Sequence, residues 1–252
     1  TYEYAKGRQQ KLKAKLEKDP EMKEKAFRQM DELIEKGWAN EIPNHAYPAG
    51  SPVCYLANHL VTHPDKPGKV RICQDAAGKV KGHSLNKYLH NGPDILNDLL
   101  GILLRFRRKK IVLSADIKSF YYQVQLDTKD RPATRFLWWK DRTMTTEKIL
   151  EGACHLFGIT SSPSVSNVVL TYHAMLQRQH LDLDTFIALL TSFYLDDFLH
   201  SVDDLNDAKR IKRCLKRCLK AAGFDLIKWK SNFPELNEDD DDKSTPIDRV
   251  PD

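Results

Sequence analysis

Two adjacent carboxylates, Asp196 and Asp197, sit in the stretch Tyr194-Leu195-Asp196-Asp197, between apolar residues that run from Phe193 to Leu199. At about 4 Å and an effective dielectric near 20, two like charges repel by roughly 4 kcal/mol. Water at a hairpin tip reduces that cost, whereas a divalent cation turns it into binding energy by bridging oxygens. Taken alone, the pair reads as an acidic turn. A metal site needs a further carboxylate from elsewhere in the fold.

Asp116 is the candidate. It follows Ile111 to Ala115, a short apolar run of the kind that forms a strand covered on both faces. An isolated Asp after a strand is usually the N-cap of the next turn, here one starting at Ile117. A carboxylate leaving a buried strand nevertheless carries a heavy desolvation cost unless it is paired, protonated or metal-bound. Beside Asp196 and Asp197 it would complete a three-carboxylate cage for Mg²⁺, with Mn²⁺ as the alternative ion. Two such ions about 4 Å apart would serve nucleotidyl transfer.

The elements that must position these groups are legible in part. Met22, Ala26, Phe27, Met30, Leu33 and Ile34 recur at helical spacing up to Gly37. Five prolines between residues 40 and 68 predict loops and short strands, and Lys69–Cys73 reads as a strand. Asn91-Gly92-Pro93 predicts a helix start, with Ile95, Leu96, Leu99, Leu100, Leu103 and Leu104 as its apolar face and Arg105–Lys110 as its basic end. Thr134–Trp139 reads as a strand and Ser162–Gln179 as a helix. Phe186–Tyr194 leads into the acidic hairpin, and Asp204–Ala222 is helical with Gly223 as its stop. Strands and helices alternate without a regular βαβ repeat, which predicts an α+β fold.

Composition sets outer bounds. The chain has 252 residues, 41% hydrophobic and 30% charged, which is globular composition. No apolar run approaches the ~18 residues of a membrane span, and no membrane partner is expected. Five cysteines without paired zinc spacing, Cys214 and Cys218 one helical turn apart, fit a reduced intracellular setting. The net charge of +5 conceals a basic body, since residues 237–252 hold seven acids and two bases and the remainder is at +10. Such a body attracts phosphate backbones in a salt-dependent way. The lysines of residues 6–25 read as a solvated helix face.

Beyond these patterns, Asp116-Ile117-Lys118-Ser119-Phe120-Tyr121, Phe157-Gly158 followed by Pro163, and Tyr194-Leu195-Asp196-Asp197 resemble, in order and spacing, the polymerase motifs of retroelement reverse transcriptases. Lys69-Val70-Arg71-Ile72-Cys73-Gln74-Asp75, Ser84-Leu85-Asn86, Gly92-Pro93, Leu103–Arg107, Arg135–Trp138 and Lys228-Trp229-Lys230-Ser231-Asn232 narrow the resemblance to BEL/Pao-type retrotransposons. It runs from about Glu21 to Asn232.

The resemblance implies a right-hand polymerase with an antiparallel palm sheet, helices and a fingers subdomain, here without a thumb. Residues 1–40 would be an N-terminal helical extension, 41–91 and 124–157 fingers, 92–123 and 158–232 palm, and 233–252 an acidic disordered tail. A first residue of Thr1 fits a piece of a longer protein.

It implies that Asp116, Asp196, Asp197 and the Ile117 carbonyl hold the metals. Arg71 would grip the triphosphate of a deoxynucleotide, with a second basic contact from Lys66 or Lys69, between which spacing does not select. Tyr121 would exclude a ribose 2′-hydroxyl; outside the family context it is an ordinary core tyrosine. Phe157 and Gly158 would line the nucleotide. Lys230, with Lys228 as competitor, would approach the leaving pyrophosphate, and Tyr194 the primer terminus. The expected partners are an RNA or DNA template with its primer and deoxynucleotides. Leu195 replaces the family's usual β-branched residue, and Tyr55–His59 departs from the family's usual motif there, so His59 is given no role. A polymerase fold that binds without catalysis, and a metal-dependent phosphate hydrolase, are the competing readings.

Overall fold

The computed structural model describes residues 1–43, 50, 52–63 and 66–237. Along the chain lie α1 (Tyr2–Lys18), α2 (Pro20–Glu35), β1 (Ala39–Glu41), β2 (Tyr55–His63), β3 (Lys66–Asp75), α3 (Leu85–Tyr88) and α4 (Leu99–Phe106). There follow β4 (Ile111–Ile117), β5 (Arg135–Trp139), β6 (Glu147–Gly152), α5 (Ser162–Leu176), α6 (Leu183–Thr191), β7 (Phe193–Tyr194), β8 (Asp197–Val202), α7 (Leu205–Ala221) and β9 (Leu226–Ser231). They form an α+β fold of two compact units. The first comprises Thr1–Ile95 and Ser119–Val169, the second Leu96–Lys118 and the chain from Leu170 onward.

The first unit is built on a five-stranded sheet ordered β1-β6-β5-β2-β3, in which only β2 and β5 run parallel. The strand expected at Lys69–Cys73 extends over Lys66–Asp75. Helix α2 starts at the Asp19 cap, whose side chain accepts from the Met22 N–H at 2.9 Å, with Pro20 in the first turn. It buries Ala26, Phe27, Met30 and Leu33, with Phe27 against Trp138 at 5.3 Å.

The lysines of α1 lie on solvated faces, with Lys11, Lys15 and Lys18 exposed, but the helix also carries a buried stripe. Ala5, Gln9, Leu12 and Leu16 recur every three or four residues and are buried against β2 and β5. Only three of the four are apolar and lysines fill the remaining faces, so the stripe is thin enough to be read as solvated.

The second unit holds a four-stranded antiparallel sheet ordered β7-β8-β4-β9. Its core includes Leu113, Phe193, Phe198 and Trp229, with ring centroids 5.0 Å apart for Phe193–Phe198 and 5.9 Å for Phe198–Trp229. Helix α7 ends as expected at Gly223. At φ 81° the glycine lets the Phe224 N–H reach the Leu219 carbonyl at 2.9 Å and its own N–H reach Lys220 at 2.9 Å.

Three expectations are corrected here. The helix predicted from Pro93 begins only at Leu99, because the Asp98 side chain accepts from the Leu100 and Gly101 N–H groups at 3.3 and 2.7 Å. Asn97, at the entry, donates instead to the Leu190 and Phe193 carbonyls. None of the expected apolar face is fully buried, Leu100 and Leu104 being more than 60% exposed, and α4 instead buries Ile102, which lies outside that face. The approach to the acidic hairpin is helical over Leu183–Thr191, capped by Asp182 on the Thr185 N–H at 3.0 Å. The pattern also continues past Asn232. Pro234–Leu236 form a 3₁₀ turn whose Leu236 is buried and whose carbonyl accepts from the Lys212 ammonium at 3.0 Å. The acidic stretch 238–252 lies outside the described residues, as do residues 44–49, 51 and 64–65.

Among the described residues the five cysteines are free thiols, and no helix is long and apolar enough to cross a membrane. The burial of α1 generates a test. Leu16→Ala should lower the unfolding free energy by about 2–5 kcal/mol, read from urea denaturation, whereas Lys15→Ala on the exposed face should stay within about 0.5 kcal/mol. Equal, small effects would mean that α1 is not packed.

Candidate active site

Strand β4 is the middle of the construction. Its residues alternate between buried and partly exposed from Ile111 to Ile117, so Leu113, Ala115 and Ile117 enter the core while Asp116 stays accessible at the strand's end. Antiparallel pairing with β8 sets Asp116 opposite Asp197 and Ala115 opposite Phe198. The Ile117 N–H donates to the Asp196 carbonyl at 2.8 Å. The sheet therefore brings the strand-end carboxylate and the acidic pair together, across some eighty residues of sequence.

Asp196 occupies the tip of a two-residue hairpin turn, since Tyr194 pairs with Asp197 across Leu195-Asp196. Leu195 has φ 54°. A positive φ at the first central residue belongs to the primed turns whose twist matches the strands, a place glycine fills more easily. Tyr194 is half-buried beside the turn.

The electrostatics follow from this crowding. Burial raises the carboxyl pKa of Asp196, and the charges of Asp197 and Asp116 raise it further. Asp197 is raised in the same way, first by burial and then by Asp116. One cation is close at hand: the Lys228 ammonium lies 2.5 Å from Asp116 Oδ2. Lys230, which sequence reasoning favoured over Lys228, pairs with Ser114 two residues back along β4. The contact between Lys228 and Asp116 depends on a bulge in β9, and nothing in the Lys-Trp-Lys spacing signals a bulge.

The remaining candidates belong to the first unit. Tyr121 packs its ring edge on Phe157 at 4.9 Å, and Phe157 meets Tyr122 at 5.5 Å, itself stacked on Trp38 at 4.9 Å. Gly158 has φ 97°, and a Cβ there would sit 2.6 Å from the Gln74 carbonyl oxygen. Its need to lack a side chain thus arises within the chain itself. The Asn86 amide locks this turn by donating to the Gly158 carbonyl at 2.8 Å and accepting from the Thr160 N–H at 3.0 Å. Arg71 is exposed on β3, paired with Val61 of β2. The side chains of Lys66 and Lys69 lie outside the described residues.

With that geometry in place, residues 55–244 match the sequence profile of the reverse transcriptase (RNA-dependent DNA polymerase) domain. The chain belongs to the reverse transcriptase family. No curated protein matches it. Among solved structures it is similar to the foamy viral protease–reverse transcriptase dRH in complex with double-stranded DNA, at 18% identity and TM-score 0.57, over 78% of this chain and 29% of that one. The foamy viral enzyme in complex with an RNA/DNA hybrid matches at 18% identity and TM-score 0.56, over 78% and 22%. The prototype foamy virus protease–reverse transcriptase CSH mutant matches at 17% identity and TM-score 0.59, over 82% and 24%. Identities this low carry the fold alone, and the chain spans between a fifth and a third of those polypeptides.

The donor set of this reverse transcriptase fold suits a hard divalent cation: three carboxylates at one sheet end, with Asp196 and Asp197 made harder to ionise by burial and by neighbouring carboxylates. Among the described residues, no three His, Cys, Asp or Glu side chains converge as an ion would hold them. Asp116 is instead turned to Lys228. A cation therefore requires the side chains to reorient.

The raised carboxyls make a prediction with a definite sign. A carboxyl harder to ionise in the folded than in the unfolded chain removes stability as pH rises from the ordinary carboxylate range through its raised value. With a chelator present, Asp196→Asn should raise the melting temperature at neutral pH, each kcal/mol gained being about 2–4 °C for a chain of this size. The gain should shrink as pH falls toward the ordinary carboxylate range. Melting curves across pH that show no gain at neutral pH would refute the crowding.

Proposed function

We propose that this chain is the fingers and palm region of an RNA-directed DNA polymerase from a BEL/Pao-like element, extending a primer on an RNA or DNA template with deoxynucleotides. The observation that carries the reading is the pairing of Asp116 with Asp197 and of the Ile117 N–H with the Asp196 carbonyl. It gathers carboxylates from the first and last of the polymerase motifs at one end of the sheet. The lineage rests on the motifs from Lys69 to Asn232, finer than the family match reaches. On this reading residues 92–123 and 158–232 are the palm, and 41–91 and 124–157 the fingers.

Asp116, Asp196 and Asp197, with the Ile117 carbonyl, are the ligands for two Mg²⁺ or Mn²⁺ ions. When bound, such ions lower the pKa of the primer hydroxyl and stabilise the leaving pyrophosphate. The protein's own contribution is positional. The register of β4 against β8 fixes the backbone from which the three carboxylates reach one end of the sheet. Tyr194 supports the primer terminus beside the hairpin. Lys230 is assigned to the leaving pyrophosphate.

In the first unit, Arg71 offers a planar fork for bidentate contact with the triphosphate. Tyr121, braced by Phe157, is the sugar gate, a rigid ring against which a 2′-hydroxyl would clash. Gly158 keeps the backbone bare at the same turn.

A second reading, a polymerase fold that binds nucleic acid without catalysis, draws on the ion pair of Lys228 with Asp116, which partly neutralises the site without metal. Primer extension with Mg²⁺ separates the two. On RNA and DNA templates, Asp196→Asn should lose about two orders of magnitude or more in rate relative to wild type. Equal signals from the two proteins would refute catalysis at this site, and a wild-type chain that binds primer–template without extending it would select the second reading. For the gate, Tyr121→Ala should raise ribonucleotide incorporation relative to deoxynucleotide by about tenfold or more. Unchanged selectivity in single-nucleotide extension would remove that role.

A further inference from the structure

Strand β9 meets β4 with an irregular register. Ser114 pairs with Lys230 and Asp116 with Ile227, so two residue steps on β4 face three on β9. The extra residue is a β-bulge. Inside it Lys228 has φ 57°. Five non-glycine residues have positive φ among the described residues, and Lys228 alone of them lies within a strand.

A left-handed conformation disfavours any residue with a Cβ, and glycine would occupy the position without strain. What a glycine lacks is the ammonium. The bulge aims that ammonium away from the regular strand alternation and onto Asp116, with Nζ 2.5 Å from Oδ2. The partner is Asp116, the carboxylate that faces Asp197 across the β4–β8 ladder. The irregular backbone and the ion pair are thus parts of one arrangement.

We propose that Lys228 is a built-in counter-cation of the carboxylate centre. It holds Asp116 while no divalent ion is bound, and it must leave Asp116 for an ion to bind there. Ion binding and release of the ammonium are then a single exchange. This rests on Asp116 being a metal ligand, as the proposed function has it. The physical basis is competition for the same oxygen. A divalent ion takes carboxylate oxygens at about 2.0–2.1 Å in the case of Mg²⁺. An ammonium engaged on that oxygen blocks the approach sterically and repels the ion. The flexible four-carbon stem of lysine lets the ammonium withdraw without movement of β9. Two consequences follow: the metal-free chain tolerates its three crowded carboxylates, and its affinity for free divalent ions is lower than those carboxylates alone would confer.

The experiment is a Mn²⁺ titration without nucleotide or nucleic acid, in which unbound Mn²⁺ is followed by electron paramagnetic resonance. It compares the wild-type chain with Lys228→Gln, Lys228→Gly, Lys230→Gln and Asp116→Asn. Both Lys228 variants should bind Mn²⁺ about threefold to fivefold more tightly than wild type, the range an exposed ion pair can contribute. Lys230→Gln removes the same charge two residues along the strand and should move the affinity by less than about twofold. In the absence of Mn²⁺, Lys228→Gln should melt below wild type. Lys228→Gly, which relieves the backbone, keeps the affinity arm readable if the glutamine variant folds poorly. Wild-type affinity in both Lys228 variants, or an equal gain in Lys230→Gln, would overturn the exchange. If Asp116→Asn binds Mn²⁺ as well as wild type does, the assignment of Asp116 as a ligand fails, and the inference fails with it.

Discussion

The mutual repulsion of Asp116, Asp196 and Asp197 is the constraint around which the second unit is arranged. Like charges gathered at one sheet end oppose folding unless the surrounding structure over-determines their position. Strand β4 supplies that over-determination. It is hydrogen-bonded on both sides, to β8 and to β9, and its inward residues Leu113, Ala115 and Ile117 are buried. A one-residue slip of this strand would bury Asp116 and expose that apolar set, so the register carries the full hydrophobic penalty of any rearrangement. The carboxylates stay together because moving them apart would cost more than their repulsion.

The backbone shows the same accommodation twice. Leu195 at the hairpin and Lys228 in the bulge both hold positive φ where glycine would be more comfortable, and both adjoin the carboxylates. Each side chain has a distinct effect. Leu195 adds apolar bulk at a turn that must present Asp196, whereas Lys228 brings a countercharge to Asp116. Strain of this kind persists where packing fixes both flanks, and here Phe198 and Trp229 lie in ring contact across the sheet.

Much of this site was legible in the sequence, for a physical reason. A buried strand ending in an acid, and an acidic pair inside an apolar run, are local anomalies whose cost demands a partner, and the partner could be sought elsewhere in the chain. The parts that were not legible depend on competition between signals. Pro93 is a fair helix start, but Asp98 offers two capping bonds and prevails. Helix α1 buries a stripe that includes Gln9, which hydropathy counts as solvated. The turn at Pro234–Leu236 is held by a buried lysine, Lys212, whose type gives no hint of that place. The bulge at Lys228 has no local signature, since it arises from how two strands end and not from either one.

The motifs behind the proposed lineage divide along similar lines. Asn86, in Ser84-Leu85-Asn86, is an amide clamp on the Gly158–Thr160 turn, and Asn232, at the end of the Lys228 motif, accepts from the Val112 N–H and donates to the Lys110 carbonyl. An amide presents donor and acceptor at fixed separation, which suits it to tying a loop to a strand edge. Neither residue has reactive chemistry of its own. Each holds a segment beside a candidate functional group: Asn86 the turn that braces Tyr121 through Phe157, Asn232 the start of the strand that delivers Asp116. A resemblance carried by such clamps speaks to geometry, and a chain could keep all of them after losing its chemistry. Only the carboxylates speak for catalysis, because their crowding would burden a fold that did not use them.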